Sequence, residues 1–358
     1  MVSPHQLFRF VQRDPDPDLL VITNMWPEQH RPAYGTFVER QVQALRASGL
    51  HCDVLYIRGY LSKVAYVLSV PIFAWLTVFA RGRYRLTHVH AGETALAARF
   101  YMSRRMIVTY HGDDMLGYRA DEGPISVRSR IRSFIVRTHS CLFAATVTQS
   151  NEMHQRLPRV TRRRNSIIPC GVDTTRFYPM DREEARSQLG WGRSDQVVLF
   201  AATRPHEPRK RLDLARAAVT CAEAAVGPIR LVIAENLPPE TIPVMMNAAD
   251  CLLLTSMAEG SPVVVKEALM CNLPVVATDI ADVKAMLNGV SPSAVCQHEP
   301  AEIGAALANI LAERQRSNGR AQHADLDQST TIHRLLRVYS DLGVRPRPHL
   351  ASSASVSS

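Results

Sequence analysis

Short apolar runs alternate with amphipathic stretches along almost the whole chain of 358 residues. Runs such as DLLVITNMW (Asp18–Trp26), RMIVTYHGDD (Arg105–Asp114) and DCLLLTS (Asp250–Ser256) contain strand-length apolar cores, which are typical of parallel strands covered on both faces. Stretches such as YGTFVERQVQALRASGL (Tyr34–Leu50) and PAEIGAALANILAERQRS (Pro300–Ser317) carry apolar residues at helical spacing. This alternation predicts the α/β fold class.

The alternation occurs in two series of similar length, joined by FYPMDREEARSQLG (Phe177–Gly190). We therefore predict one domain over residues 1–178 and a second over residues 179–330. A helix is predicted within residues 331–345, with a return to the first domain as one option, and the polar end, residues 346–358, is expected to be disordered. A cleft between two such domains is a usual ligand site.

Two glutamates stand out in the apolar stretch MAEGSPVVVKEALMCNLPVVATD (Met257–Asp279). The local pattern is strand, loop, helix, strand, with Glu259 in the loop and Glu267 on the second turn of the helix. A carboxylate in an apolar setting needs a partner. Because helical side chains lean toward the N-terminus, Glu267 can reach the crevice beyond the strand ends. The alternative is that both are ordinary solvated charges.

The start of that helix is a candidate anion site. Ser261 suits the N-cap and Pro262 the first helical position. The N–H groups around Gly260–Val264 would then face a ligand at the partly positive end of the helix. Two carboxylates that can accept hydrogen bonds from hydroxyl groups, beside a helix N-terminus that can bind phosphate, suit a sugar nucleotide.

The charge and the cysteines restrict the partners and the compartment. The net charge is +9, with many arginines in the first 170 residues, which favours anionic partners (lipid headgroups, phosphates or nucleic acid) unless the charge serves solubility alone. The seven cysteines show no C-x-x-C spacing, which argues against a disulfide framework or zinc. The N-terminus lacks an apolar signal region, so we expect a cytoplasmic protein.

The segment VAYVLSVPIFAWLTVFA (Val64–Ala80) contains 17 residues without a charge, with Pro71 in its middle. We interpret it as one or two buried helical pieces. The alternative is an interfacial helix on a bilayer, flanked by Lys63, Arg81 and Arg83. A membrane span ranks third, since the segment is barely long enough.

Three motifs in the right order resemble one family. EGSPVVVKEALMCNLPVVATD resembles the paired-glutamate motif of the family 4 glycosyltransferases, IIPCGVDTTRFYP (Ile167–Pro179) their interdomain signature, and VTYHGDD (Val108–Asp114) their H-G-x-D loop. Cys170 stands where the family usually has Asn. The resemblance extends from about Leu19 to Leu342 and implies the GT-B fold, in which two Rossmann-like domains face each other across a cleft.

The resemblance assigns roles to the glutamate motif. Glu267 is expected to accept hydrogen bonds from the ribose of the donor. Glu259 and the backbone at Gly260, Ser261 and Val263 are expected to hold the transferred sugar and the diphosphate. The second domain would thus bind the nucleotide sugar and the first domain the acceptor.

The resemblance also implies a cationic pair that neutralises the diphosphate leaving group. Arg204 and Lys210 fit these roles, because fixed cations stabilise the charge that develops as the glycosidic bond breaks. The family spacing is about five, whereas here it is six, so Arg209 and Arg211 remain competitors for the contact.

In the first domain, the resemblance places His111 near the transferred sugar as a catalytic residue. Asp114, or Asp113 beside it, is expected to bind a sugar or acceptor hydroxyl. Gly35 is expected to let the backbone approach the diphosphate and the acceptor closely, although many members have two adjacent glycines here.

The implied function is that of a retaining, hexosyltransferase-type enzyme. It would move a sugar from a nucleoside-diphosphate sugar to a glycan or lipid-linked acceptor in bacterial polysaccharide assembly. No D-x-D motif occurs in a suitable place, so we expect neither a metal nor a cofactor. Peripheral attachment to an anionic membrane, on the inner face of the plasma membrane, is a further expectation. The donor sugar, its base, the acceptor and the oligomeric state are left open by the sequence.

Other classes fit the sequence less well. A dehydrogenase would need G-x-G-x-x-G and a P-loop enzyme G-x-x-x-x-G-K-[ST], and neither pattern occurs. No interleaved aromatic platform supports a nucleic-acid partner. The remaining alternative is a non-catalytic GT-B protein that binds a glycan or a nucleotide, which should lack the glutamates or the cations.

Overall fold

The first domain is built on a seven-stranded sheet. The computed structural model describes residues 7–347 except 33, 80–81, 102, 104, 118–124 and 236. The strand order is β1-β3-β2-β4-β5-β6-β7, with every neighbour parallel except β1 against β3. The strands are β1 (Phe8–Gln12), β2 (Leu19–Thr23), β3 (Cys52–Ile57), β4 (Leu86–His90), β5 (Met106–Thr109), β6 (Ala145–Thr148) and β7 (Asn165–Ile167).

Helices cover both faces of this sheet, which is why the central strands are buried and mostly apolar. All five residues of β2 and all six of β3 are buried. The helices of the first domain are α1 (Thr36–Ala47), α2 (Val64–Leu68), α3 (Val70–Phe79), α4 (Gly92–Ala98), α5 (Asp113–Leu116), α6 (Val127–His139), α7 (Asn151–Arg156) and α8 (Arg159–Arg162).

The second domain has a five-stranded parallel sheet in the order β12-β11-β10-β8-β9. Its strands are β8 (Val197–Ala201), β9 (Arg230–Ala234), β10 (Cys251–Leu254), β11 (Val275–Thr278) and β12 (Ala294–Cys296). The helices that follow the first domain are α9 (Arg182–Leu189), α10 (Leu212–Val226), α11 (Thr241–Ala248), α12 (Val263–Met270), α13 (Val283–Met286), α14 (Pro300–Glu313), α15 (Gly319–Gln322) and α16 (Gln328–Asp341).

The chain passes between the domains twice, at adjacent points. Val172, in the PCGVD segment, donates its N–H to the carbonyl of Leu326 and accepts from the N–H of Gln328. Beyond this crossing, α16 packs against α1 of the first domain. The Tyr339 hydroxyl lies 2.6 Å from Nδ1 of the buried His88. The last helix therefore ties the two domains together.

The start of α12 differs by one residue from the sequence prediction. The helix begins at Val263 with Pro262 as its N-cap, and Ser261 makes no cap bond. The Ser261 hydroxyl instead donates to Asp282 at 2.6 Å. The end of the helix is as predicted, because Asn272 adopts a positive φ of 53°.

The uncharged segment Val64–Ala80 forms two helices, as expected, but they are not buried, and Ala80 lies outside the described residues. Ala65, Phe73 and Leu76 reach the core. Most of the other large apolar side chains face solvent, because the two short helices lie on the domain surface. Within the described part of the chain, no helix has the length and apolarity to cross a membrane.

Candidate active site

A cleft of about 640 Å³ lies between the two domains, next to the carboxyl ends of the parallel strands. Both domains contribute to its lining. It brings together all ten residues that the sequence nominated: Gly35, His111, Asp114, Arg204, Lys210, Glu259, Gly260, Ser261, Val263 and Glu267.

Glu267 projects from α12 with only 15% of its side chain exposed. Its Oε1 lies 3.6 Å from Nη1 of Arg40, which belongs to α1 of the first domain. Burial raises the pKa of Glu267 to about 7, and the opposing charges of Arg40 and Arg176 do not offset it. With a pKa of about 7, the Glu267 carboxylate is only partly ionised at neutral pH, and a ligand that donates hydrogen bonds to it would favour its charged form.

Glu259 is the counter-ion of two cations. Its oxygens lie 2.5 Å from Nζ of Lys210 and 3.6 Å from Nη1 of Arg209, and the Ser256 hydroxyl donates to it at 2.9 Å. Burial alone would raise the pKa of Glu259, but Lys210 and Arg209 hold it below its ordinary value. Glu259 is therefore ionised and fixes both cations in the cleft.

The structure distinguishes among the three competing cations. Arg209 and Lys210 both line the cleft, on the short 3₁₀ turn that follows β8. The Nε of Arg211 instead donates to both oxygens of Asp213, at 3.1 Å each. Arg209 and Lys210 are thus the cations placed beside Glu259.

Arg204 lies nearer the solvent. Its side chain is 58% exposed, and its Nη1 is 2.7 Å from Glu207. The same carboxylate accepts from Nε of Arg209 at 2.9 Å. The loop of residues 204–211, which we call the basic loop, therefore presents cations at two depths. Arg204 lies at the outer one.

His111 is held in an aromatic and polar setting at the end of β5. Its ring stacks on His90 with centroids 5.3 Å apart and lies 5.0 Å from the Phe37 ring. Its Nε2 is 3.1 Å from Nδ1 of His90, and its Nδ1 is 2.5 Å from Nε2 of Gln149. Burial lowers the pKa of His111 to about 3, so the ring is neutral and a poor base at physiological pH.

Asp114 has a different geometry from the one expected for a hydroxyl-binding residue. It is buried and accepts backbone N–H bonds from Gly92 at 2.7 Å, Gly112 at 3.0 Å and His111 at 3.2 Å. Because these bonds occupy its oxygens, Asp114 shapes the His111 loop although it borders the cleft. The Asp113 side chain lies outside the described residues.

Glycines let the two domains touch at the base of the cleft. A Cβ on Gly260 would lie 2.0 Å from the carbonyl oxygen of His111, and one on Gly112 would lie 2.4 Å from the Cα of Gly260. Gly35, with φ +79°, packs against the backbone of Met25, where a Cβ would lie 2.4 Å from the carbonyl carbon. Only glycine permits these backbone contacts.

The sequence analysis missed several polar cleft residues, among them Arg40 and Gln149. Gln149 directly follows β6, and a polar residue at the carboxyl end of a parallel strand is a detectable feature. Arg40 lies within the amphipathic helix α1, where nothing distinguishes it from a solvated arginine. Its role depends on the second domain.

One wall of the cleft is apolar. It carries no charged group and is formed by Ala202, Ala234, Leu237, Pro239 and Ile242. Leu237, three residues after β9, belongs to this wall, whereas Asn236 lies outside the described residues. The wall offers an apolar surface in the same cleft as Glu267 and the cations.

Among the described residues, no group of three or more His, Cys, Asp or Glu side chains is arranged to hold a metal ion. The positive charge of the cleft comes from arginine and lysine.

Two family models match the chain, one in each domain. The model described as Glycosyltransferase Family 4 matches residues 18–176, and the model described as Glycosyl transferases group 1 matches residues 230–313. Together they match more than half of the chain.

Curated relatives give the same class. The chain is 30% identical over 187 residues to a D-inositol 3-phosphate glycosyltransferase of Segniliparus rotundus, covering 43% of this chain and 41% of that protein. It is 23% identical over 328 residues to the putative teichuronic acid biosynthesis glycosyltransferase TuaC of Bacillus subtilis, covering 75% and 82%. The chain thus spans less than half of the first relative and most of the second.

Solved structures show the same fold. Sucrose-phosphate synthase from Thermosynechococcus elongatus superimposes with a TM-score of 0.75 at 18% identity, covering 91% of this chain and 99% of that one. Anabaena HepE in complex with UDP and glucose gives 0.65 at 14% identity, covering 90% and 99%. At these identities the likeness concerns the fold alone.

The two facing Rossmann-like domains and these matches make the protein a glycosyltransferase with the GT-B fold. Within that class, the chain belongs to the family 4 glycosyltransferases. The sequence predictions of family, fold class and enzyme class are thereby confirmed. The alternative of a non-catalytic GT-B protein is not supported.

Proposed function

We propose that the enzyme transfers a hexose, with retention of anomeric configuration, from a nucleoside-diphosphate sugar to a glycan or lipid-linked acceptor in bacterial cell-surface polysaccharide assembly. The observation that carries the proposal is the arrangement of Glu267, the Arg209–Lys210 pair and His111 along one cleft. These side chains suit the ribose, the diphosphate and the sugar of such a donor.

The donor lies along the second domain in this proposal. The base packs on the apolar wall at Leu237 and Ile242, and Glu267 accepts from the ribose hydroxyls. The N–H groups at the start of α12 and the cations of the basic loop hold the diphosphate. UDP-glucose is the first donor to test, because HepE is described in complex with it.

Charge development at the leaving group is the main catalytic task. As the bond from the sugar C1 to the diphosphate oxygen breaks, its electron pair stays on the diphosphate. Lys210 and Arg209, already fixed by Glu259, stabilise that charge without reorganising. The same two cations remove the need for a metal ion.

Retention is supported by the state of His111 and Glu259, neither of which is a free base in the described part of the cleft. The acceptor oxygen bonds to C1 from the side that the diphosphate leaves, and its proton passes to the departing phosphate oxygen. His111 is too weak a base to take this proton, and Glu259 is occupied by Lys210 and Arg209. His111, whose two ring nitrogens face His90 and Gln149, instead lines the sugar-binding part of the cleft as a neutral ring.

The experiment is a thermal-shift panel of UDP-, GDP- and ADP-sugars, followed by proton NMR of the product formed from the donor that binds. An α-linked donor should give an α-linked product. A β-linked product would refute retention, and no shift with any donor would refute the donor class.

A further inference from the structure

Helix α6 packs mainly small polar residues against the protein and exposes most of its large apolar residues. Its buried residues are Ser129, Ser133 and Val136, whereas Val127, Ile131 and Phe134 are 70%, 55% and 63% exposed. An isolated globular domain would place the serines outside and the large apolar side chains in the core. The exposed side of α6 is therefore suited to an apolar environment outside the protein.

Helices α2 and α3 show a second exposed apolar face. Val67, Trp75 and Phe79 are 69%, 57% and 72% exposed, and Val64, Leu68 and Val78 add to them. Phe100, just after α4, is also 57% exposed. So many exposed large apolar residues in one domain indicate an interaction surface rather than scattered exceptions.

The two apolar faces lie around the same helix. α4 packs against α2, α3 and α6. At the N-terminus of α4, Glu93 joins the helices on either side, with Lys63 Nζ at 3.0 Å and Arg132 Nη1 at 2.8 Å. We call these elements together the apolar–basic face: Val64–Phe79, Phe100 and Val127–His139.

The charge of this face has one sign. Neither Val64–Phe79 nor Val127–His139 contains an acidic residue. The second stretch contains Arg128, Arg130, Arg132 and Arg137 among its apolar side chains. Apolar groups that insert and cations that meet headgroups are the combination by which amphipathic helices bind anionic bilayers.

We propose that the apolar–basic face is a docking surface for an anionic lipid bilayer. A second copy of the chain is a poorer occupant, because a symmetric contact through α6 would set arginines against arginines. In the bilayer, Trp75 and Phe134 lie at the level of the headgroups and upper acyl chains, and Arg128 and Arg130 contact lipid phosphates.

The position of this face bears on the acceptor. Lys63, Glu93 and Arg132, which join its helices, also line the cleft. The docked enzyme thus opens its cleft at the membrane surface, where a lipid-linked acceptor can enter without leaving the bilayer. This step rests on the proposed function, whereas bilayer docking does not.

The test is co-sedimentation of the full chain with vesicles. One set consists of phosphatidylcholine alone and the other of equal parts phosphatidylcholine and phosphatidylglycerol. The wild type should bind the anionic set more tightly, and salt should weaken the binding. Equal binding to both sets, or binding to neither, would overturn the proposal.

Three variants locate the contact. The double variant Ile131→Ser/Phe134→Ser should weaken binding to anionic vesicles by at least about tenfold, because two large side chains no longer insert. Arg128→Glu/Arg130→Glu should abolish the preference for anionic lipid. Tyr178→Ser, which removes an exposed aromatic elsewhere in the chain, is the matched control and should bind like the wild type.

Two further results bear on the same question. All the substituted side chains are exposed, so the variants should unfold at the wild-type temperature. Nucleoside diphosphate binding, measured by calorimetry, should be unchanged in each, which separates a failure of docking from a failure of the proposed donor site. Wild-type vesicle binding by both patch variants would overturn the proposal, as would sedimentation showing that the face joins two copies of the chain.

Discussion

At the scale of single residues, Glu267 connects ligand binding with pH. Its pKa is about 7 in the free protein, raised by burial. Hydrogen bonds donated by a ribose favour the charged form, so the pKa must fall when the nucleotide binds. The affinity for a nucleoside diphosphate should therefore rise as pH increases toward 7 and level off above it.

Calorimetry in buffers of different ionisation enthalpy checks this linkage. Below pH 7, binding should release a proton from Glu267 to the buffer. The Glu267→Gln variant, which cannot ionise there, should lose this component. An affinity that falls as pH rises through 7 would contradict the ribose assignment.

The basic loop gives a second prediction. Lys210→Met should lower kcat by about two to three orders of magnitude, because a fixed cation no longer meets the charge on the leaving group. Arg211→Met is the matched control, since Arg211 pairs with Asp213 instead of Glu259. Steady-state kinetics on both variants compare them. A loss of kcat in the control as large as in Lys210→Met would show that the register is wrong.

Residue identities were predicted better than residue partners. The sequence nominated Glu259 and Glu267 from a local pattern and His111 from the family resemblance, and all three line the cleft. It did not indicate that Arg40 pairs with Glu267, because the two are more than two hundred positions apart. Asp114 was nominated for its motif, but its oxygens meet backbone N–H groups, which no local pattern shows.

At the scale of elements, the loop after β5 and the loop before α12 contact each other at Gly112 and Gly260. Gly260 needs no positive φ, so an alanine there is excluded by the contact with His111 alone. Gly260→Ala should push the loops apart and lower kcat, because donor and acceptor sites no longer adjoin. Each domain should still fold, so thermal unfolding should change little and nucleotide binding by a few fold at most. Wild-type kcat would contradict the closed contact.

The helices of the first domain show a limit of pattern reasoning. An apolar segment was predicted to be buried, yet most of Val64–Phe79 faces solvent. Periodicity shows that a helix has two faces, but tertiary packing decides which face is covered. In α6 two of the three buried positions hold serines, so the usual inference from apolar to buried fails for most of this helix.

At the scale of the whole molecule, the sequence predicted both sheets, because their central strands are covered on both faces and are mostly apolar. The close approach of the domains was not predictable. It depends on the Gly112–Gly260 contact and on the Arg40–Glu267 ion pair, which join distant parts of the chain. Such pairings leave no periodic trace in the sequence.

The cationic cleft predicts turnover without a divalent ion. Lys210 and Arg209 are already held in place by Glu259 and can carry the charge of the diphosphate. Activity with the donor found in the panel should persist in excess EDTA. A complete loss that only magnesium or manganese restores would contradict this prediction.

The central claim is that Glu267 binds the ribose while Glu259 serves the reacting end of the donor. Loss of a charged hydrogen bond costs on the order of 1.5–3 kcal/mol, so Glu267→Gln should weaken binding about ten- to a hundredfold. Glu259→Gln should mainly lower kcat, since its interactions matter most in the transition state.

Calorimetric titration of the nucleoside diphosphate alone into wild type, Glu267→Gln and Glu259→Gln tests this most directly. Glu267→Gln should bind the nucleotide more weakly, and Glu259→Gln should bind it nearly as the wild type does. Wild-type affinity in folded Glu267→Gln would contradict the account and leave Glu267 as a carboxylate that pairs only with Arg40.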